Sequence, residues 1–140
     1  MAGNGKSGEN RLKYSGSPRF LMCIRLMGAA YWSLLTVVLL VPDPLALFGI
    51  EPVAGPSGSG VHFLLFALLG TLVLASRLPL PDILMALILV TYAVITELLQ
   101  SFVPPRTVEA RDFTENLLGL GVVYIIRWGF RKWSATGRGA

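Results

Sequence analysis

Six polar side chains interrupt the apolar stretches of this sequence: His62, Glu97, Gln100, Asp112, Glu115 and Asn116. An ionisable group inside a membrane-spanning segment is costly unless it lies near an interface or has a partner, so such residues mark candidate functional sites. Glu97 and Gln100 are three residues apart, and Asp112 and Asn116 are four apart. Each pair therefore lies on one face of a predicted helix, where its two side chains can act together.

Two kinds of chemistry fit these residue types. Carboxylates, amides and an imidazole can orient a polar headgroup, while the planar guanidinium of Arg106 pairs with its phosphate or carboxylate. The residues predicted to bind such a ligand are His62, Glu97, Gln100, Arg106, Asp112 and Asn116. The alternative is a membrane enzyme in which Glu97 or Asp112 is a general base that works with His62. No cofactor is predicted, although in this second case one His and two carboxylates would suit a divalent metal.

Each group of residues also has a purely structural interpretation. Asp112 with Glu115 can cap the start of a helix, in a variant of the capping box. Glu97 with Gln100 can form a hydrogen-bonded clamp between two helices without any chemistry. His62 alone can be an amphipathic interface residue rather than a ligand. These interpretations stay open beside the functional ones.

Four apolar runs, each near the length that crosses a bilayer, carry the candidate residues. They cover residues of about 22–41, 61–76, 83–102 and 112–127, and segments rich in Pro, Gly and Ser separate the first three. Proline cannot continue a helix, and Asp82 is placed to cap the third run. Gly119 and Gly121 are expected to let another helix approach the fourth closely. The sequence therefore predicts an all-α membrane protein, a bundle of four transmembrane helices.

Composition supports this class and excludes others. The chain has 140 residues, of which 54% are apolar and only 14% charged, whereas soluble domains have roughly 25% charged residues. A soluble globular protein is therefore excluded. The net charge of +4 does not indicate nucleic-acid binding, because the basic residues sit at the ends of the apolar runs, where they suit anionic lipid headgroups. Cys23 is the only cysteine, so no disulfide can form within the chain.

Basic residues also predict the orientation. A disordered basic tail (residues 1–20) and a second basic tail (131–140) flank one transmembrane domain (21–130), and four spans put both tails on one side. That side holds ten of the twelve Lys and Arg residues, and cytoplasmic segments carry the excess of positive charge. Both termini are therefore predicted to be cytoplasmic, and the loops 42–60 and 103–111 to face outward. Every polar candidate then lies at the outer membrane face.

An ordered pattern across three of the spans resembles a known family. It runs from His62-Phe63 through Glu97-x-x-Gln100 and Pro104-x-Arg106 to Asp112-x-x-x-Asn116-x-x-Gly119. Over residues 60–125 this is similar to the VanZ-like family, small bacterial membrane proteins related to a teicoplanin-resistance protein. Residues 57–60 read Ser-Gly-Ser-Gly, where family members often carry an Asp-Lys pair. The resemblance implies a bacterial plasma-membrane location and a link to glycopeptide susceptibility, but no particular reaction.

Together these observations lead to two functional hypotheses. The preferred one is a non-enzymatic envelope protein that binds a lipid-linked or anionic headgroup ligand, such as a lipid-linked cell-wall precursor, at the outer face. The alternative is the membrane enzyme, with His62, Glu97 and Asp112 as its catalytic candidates. Membrane lipids are the expected surroundings in both cases, and no nucleic acid is expected as a partner.

Overall fold

The computed structural model describes residues 17–42, 60–104 and 110–136, and all regular structure in these ranges is helical. Helix α1 is Pro18–Leu40, α2 is Val61–Ala75, α3 is Asp82–Gln100 and α4 is Ala110–Thr136. The predicted all-α class with four helices is therefore confirmed. Arg106, most of the two loops predicted to face outward and most of the N-terminal tail lie outside the described residues.

The helix boundaries differ from the predicted ones mainly in α4. The first three helices begin and end within four residues of the predicted limits, but α4 continues to Thr136, nine residues past the predicted end at 127. Trp128, Lys132 and Trp133 lie in this extension. The prediction that Asp82 caps α3 is wrong. Pro81 is the N-cap residue, and Asp82 lies in the first turn, where its carboxylate binds arginines of α4.

Contacts between helix ends define an up-and-down topology. Arg25, near the start of α1, donates to the carbonyl oxygens of Ser76 and Arg77 at the end of α2, at 3.1 and 3.3 Å. Gln100, the last residue of α3, donates to the carbonyl of Leu39 near the end of α1. Sequential helices are therefore antiparallel, whereas α1 runs parallel to α3. Antiparallel packing of sequential helices is typical of helix bundles.

The bundle consequently has two ends of different character. We call the end where α2 and α4 begin the polar end, and the end where they finish the basic end. Seven Lys and Arg residues lie in the described ranges, and six of them are on the half of their helix or turn nearer the basic end: Arg19, Arg25, Arg77, Arg127, Arg131 and Lys132. Arg111 lies at the polar end. The asymmetry predicted along the sequence thus separates the two ends of the folded bundle.

The core is a column of aliphatic and aromatic side chains from all four helices. Leu35, Phe66, Leu69, Leu89 and Ala93 are almost completely buried and form part of one cluster. Burying apolar side chains at close packing favours one arrangement of the helices, because voids and strain both cost stability. Around the cluster the Trp32 and Tyr92 rings meet edge to face, with centroids 5.2 Å apart.

Helices α2 and α4 pack most closely, and Gly119 explains why. A Cβ at Gly119 would lie 3.0 Å from the Ala67 nitrogen and still closer to the Phe63 carbonyl oxygen, so only glycine fits there. On α2, Gly70 plays a similar part opposite Leu120 and Val123 of α4. The prediction for Gly119 is confirmed. The one for Gly121 is wrong, because a Cβ at Gly121 would meet no atom of the described residues within 4 Å.

Apolar side chains also cover the outside of the bundle. Helices α1 and α3 are long and apolar enough to cross a membrane. Only 17% of the most apolar stretch of α1 and 28% of that of α3 are buried within the protein, so most of their apolar residues lie on the outside. Helix α2 is also apolar but has 15 residues. Contiguous apolar surface of this extent is unusual for a soluble monomer and marks a contact with lipid or protein.

Candidate functional site at the polar end

His62 is the centre of a hydrogen-bonded group at the polar end. It is the second residue of α2, and its Nδ1 lies 3.1 Å from Oδ1 of Asn116. Its Nε2 lies 3.5 Å from Oδ2 of Asp112. The two partners are four residues apart on α4, so they present both oxygens from one face of that helix. Asp112 and Asn116 share one face of α4 as predicted, and both side chains lie beside the imidazole of His62.

The local packing of α2 on α4 positions this group. Both helices begin at the polar end, and the contact of Gly119 with Phe63 and Ala67 holds their backbones close together one turn further along. Asn116 is then only 1% exposed, while the side chain of Asp112 remains 29% exposed. A buried amide thus fixes one edge of the imidazole, and the other edge faces a carboxylate that solvent and ligands can reach.

The ring nitrogens of His62 have distinct possible roles. When Nδ1 carries a proton and donates to Asn116, the Nε2 of a neutral ring is an acceptor beside the Asp112 carboxylate. A ligand amine placed there could donate to both, and a ligand hydroxyl to one of them. When the ring is an imidazolium, Nε2 also carries a proton and forms an ion pair with Asp112. The pair can therefore bind a hydrogen-bond donor or exchange a proton with one.

Glu115 anchors the start of α2 to α4. Its Oε2 accepts from the backbone N–H of Gly60 at 2.9 Å, and its Oε1 accepts from Nε of Arg111 at 3.2 Å. Gly60 has a φ of +84°, a left-handed conformation that glycine adopts without strain. Glu115 therefore does not cap its own helix but joins α4 to the start of α2. The sequence had placed Gly60 only at the end of the predicted loop 42–60.

Glu97 and Gln100 are both buried on α3. Nε2 of Gln100 donates to the Leu39 carbonyl at 2.9 Å, which ties the ends of α3 and α1 together. For Gln100 this is the clamp that the structural interpretation describes. Arg106, the sixth predicted ligand-binding residue, lies outside the described ranges. Within the ranges that are described, no three His, Cys, Asp or Glu side chains are grouped so that they could hold a metal ion.

The sequence did not reveal the ion-pair group at the basic end. The carboxylate of Asp82 at the start of α3 accepts hydrogen bonds from Nε and Nη2 of Arg127, at 3.1 and 2.9 Å. Nη1 of Arg131 donates to the same carboxylate. The available signal was topological, since the start of the third span and the end of the fourth were already assigned to one side. An acid at the start of the third run, with arginines at the end of the fourth, could therefore have been paired.

Comparisons with protein-family models, with curated proteins and with solved structures give no match to this chain.

Proposed function

We propose that the chain is a multi-pass protein of the bacterial plasma membrane, in which all four helices cross the bilayer. The apolar exterior of α1 and α3 supports this proposal, as does the position of the Lys and Arg residues in the bundle. With six of the seven described basic residues towards one end, that end faces the cytoplasm. The polar end, with His62, then faces outward.

We further propose that the polar end binds the headgroup of a lipid-linked or anionic ligand and thereby influences glycopeptide susceptibility, as the VanZ-like pattern implies. The observation that carries the proposal is His62 held between a buried Asn116 and a half-buried Asp112. A polar group whose hydrogen bonds served only the fold would be fully buried. Here the Asp112 carboxylate beside Nε2 of His62 remains accessible. Arg106, in the adjoining loop, supplies the positive charge for a phosphate or carboxylate.

A membrane enzyme is the second candidate, and the same geometry supports it. Asn116 orients the ring through Nδ1, and Asp112 lies beside Nε2, so His62 is arranged as a general base requires. Metal analysis of the purified protein tests the metal-assisted form of this enzyme. A stoichiometric divalent metal whose removal by a chelator abolishes function favours that form, and function that persists in the chelated protein contradicts it.

The proposed function can be tested by expression in a glycopeptide-susceptible bacterium. We expect the chain to raise the teicoplanin concentration needed to stop growth, and the purified protein in nanodiscs to retain a lipid-linked cell-wall precursor. A phosphatidylcholine nanodisc without precursor is the control for non-specific uptake. Unchanged susceptibility together with no retained precursor would contradict the proposal.

The orientation can be tested with single-cysteine variants. In a Cys23→Ser background the chain has no other cysteine, so Phe102→Cys and Thr136→Cys each report one end. We expect an impermeant maleimide to label the Phe102→Cys variant in intact cells, and the Thr136→Cys variant only after permeabilisation. Both residues are exposed in the folded protein. Labelling of the Thr136→Cys variant in intact cells would reverse the orientation.

A further inference from the structure

A cavity opens at the basic end, far from the His62 group. Its volume is about 350 Å³, and it lies between the first turn of α3 and the second half of α4. Its walls combine two classes of side chain. Ile83, Ala86 and Ile125 are apolar, and Asp82, Arg127 and Arg131 are charged. The proposed headgroup function at the polar end uses none of these residues.

Charge at the mouth of the cavity is positive. Arg127 and Arg131 share the single carboxylate of Asp82, so one positive charge remains uncompensated in this group. The contacts with Asp82 occupy three of the N–H donors of the two guanidiniums, which have about ten in all. The side chain of Arg131 is also 70% exposed. Guanidiniums arranged in this way can still bind a phosphate while they hold the carboxylate.

Tyr124 adds a polar group inside the cavity wall. Its hydroxyl oxygen is buried, and no hydrogen-bond partner for it is found in the part of the chain that the structure describes. Buried hydroxyls nearly always have a partner. Because this oxygen is covered, a ligand oxygen in the cavity, such as an ester carbonyl or a phosphate oxygen, would accept its proton once the phenol turns towards the cavity.

The apolar wall determines what kind of anion fits. The side chains of Ile83 and Ile125 are largely exposed, and Trp128 adds an exposed indole at the rim. Tryptophan is enriched where headgroups meet the hydrocarbon core. A free inorganic anion would leave these apolar surfaces uncovered, whereas a phospholipid covers them with its acyl chain and presents its phosphate to the arginines.

We propose that this cavity is a binding site for one anionic membrane phospholipid, with its phosphate on Arg127 and Arg131, its ester region at Tyr124 and its acyl chain along Ile83 and Ile125. The Asp82 carboxylate holds the two arginines in position for the phosphate. The lipid would belong to the leaflet at the basic end, and binding would fasten α3 to α4 there.

The test uses the full chain in nanodiscs of phosphatidylcholine, with and without phosphatidylglycerol, and measures the lipid that remains bound after transfer to a neutral detergent. We expect selective retention of phosphatidylglycerol by the unchanged protein and roughly tenfold weaker retention by Arg131→Gln and by Tyr124→Phe. Arg131→Gln keeps the Asp82–Arg127 pair, and Tyr124→Phe keeps the ring, so both variants should fold.

Lys132→Gln is the matched control, because it removes one positive charge at the same end. Lys132 lies over the Trp128 ring, with Nζ 4.1 Å from its centroid, and does not line the cavity. Its retention should therefore stay near that of the unchanged protein. If Lys132→Gln and Arg131→Gln lost phosphatidylglycerol retention equally, general surface charge would explain the retention, and the proposal would be overturned. Unchanged retention by Tyr124→Phe, or equal stabilisation of the protein by inorganic phosphate alone, would also overturn it.

Discussion

Replacing Gly119 by alanine is expected to destabilise the protein by about 3 kcal/mol, the upper end of the usual cost of overpacking. The added Cβ would collide with the backbone of α2 at Phe63 and Ala67. Backbone atoms cannot move aside as the end of a flexible side chain can, so α2 and α4 would have to separate. Because these helices form the closest pair in the bundle, the change should lower the thermal unfolding midpoint strongly in detergent.

Gly121→Ala is the matched control for this prediction. The same methyl group is added two residues away on the same helix, where a Cβ meets nothing within 4 Å in the part of the chain that the structure describes. Alanine is a better helix former than glycine by about 1 kcal/mol in soluble hosts, so this variant should be as stable as the parent or more stable. Equal midpoints for Gly119→Ala and Gly121→Ala would show that the close approach of α2 and α4 does not hold the bundle together.

The contrast between the two glycines could have been predicted from helix geometry. Successive residues turn by about 100° around a helix axis, so Gly119 lies about 60° from Asn116, while Gly121 lies about 140° away. Asn116 was already assigned to the face with Asp112. Residue type alone does not separate the two glycines, whereas their angle to the polar face does.

Helix boundaries were predictable where proline or glycine sets them, and less so elsewhere. Pro42 and Pro81 lie within two residues of the end of α1 and the start of α3. The predicted end of the fourth span was placed where charged residues begin, but charge does not end a helix. Helix α4 continues through Arg, Lys and Trp residues to Thr136, because helix formation depends on the backbone and on helix propensity. Hydropathy indicates only which part of a helix suits lipid, so it could not predict where α4 ends.

The sequence could predict which residues lie together in the candidate site, but not all the hydrogen bonds that they form. Helical spacing placed Asp112 and Asn116 on one face, and topology brought them to the end of the bundle that holds His62. Spacing also put Glu97 and Gln100 together on α3, but it could not show that Gln100 binds the Leu39 carbonyl of α1. That contact depends on the rotation of α3 against two neighbours, which no local pattern determines.

Replacing Asp112 by asparagine is expected to leave the fold intact and to abolish the proposed glycopeptide protection. Asparagine keeps the size of the side chain and a hydrogen-bonding oxygen near Nε2 of His62. Hydrogen bonds between membrane helices contribute about 0.6 kcal/mol on average, so membrane insertion and the unfolding midpoint should change little. A site that needs a carboxylate, either to hold an imidazolium or to accept from a ligand, would fail. Glu97→Gln should behave in the same way, and so should Arg106→Lys, which loses the planar fork.

Glu115→Gln separates the effect of the ligand site from that of its scaffold. It makes the same acid-to-amide change on α4, three residues from Asp112, and its amide oxygen can still accept from the Gly60 N–H. Because Glu115 joins α2 to α4 and is not assigned to the ligand, this variant should keep the protection.

The measurements are growth in teicoplanin and, for each variant, the amount of protein in the membrane. Protection that survives Asp112→Asn, Glu97→Gln and Arg106→Lys would make the polar group a structural clamp. Equal loss in Glu115→Gln would mean that the total charge at this end matters, rather than the carboxylate beside His62.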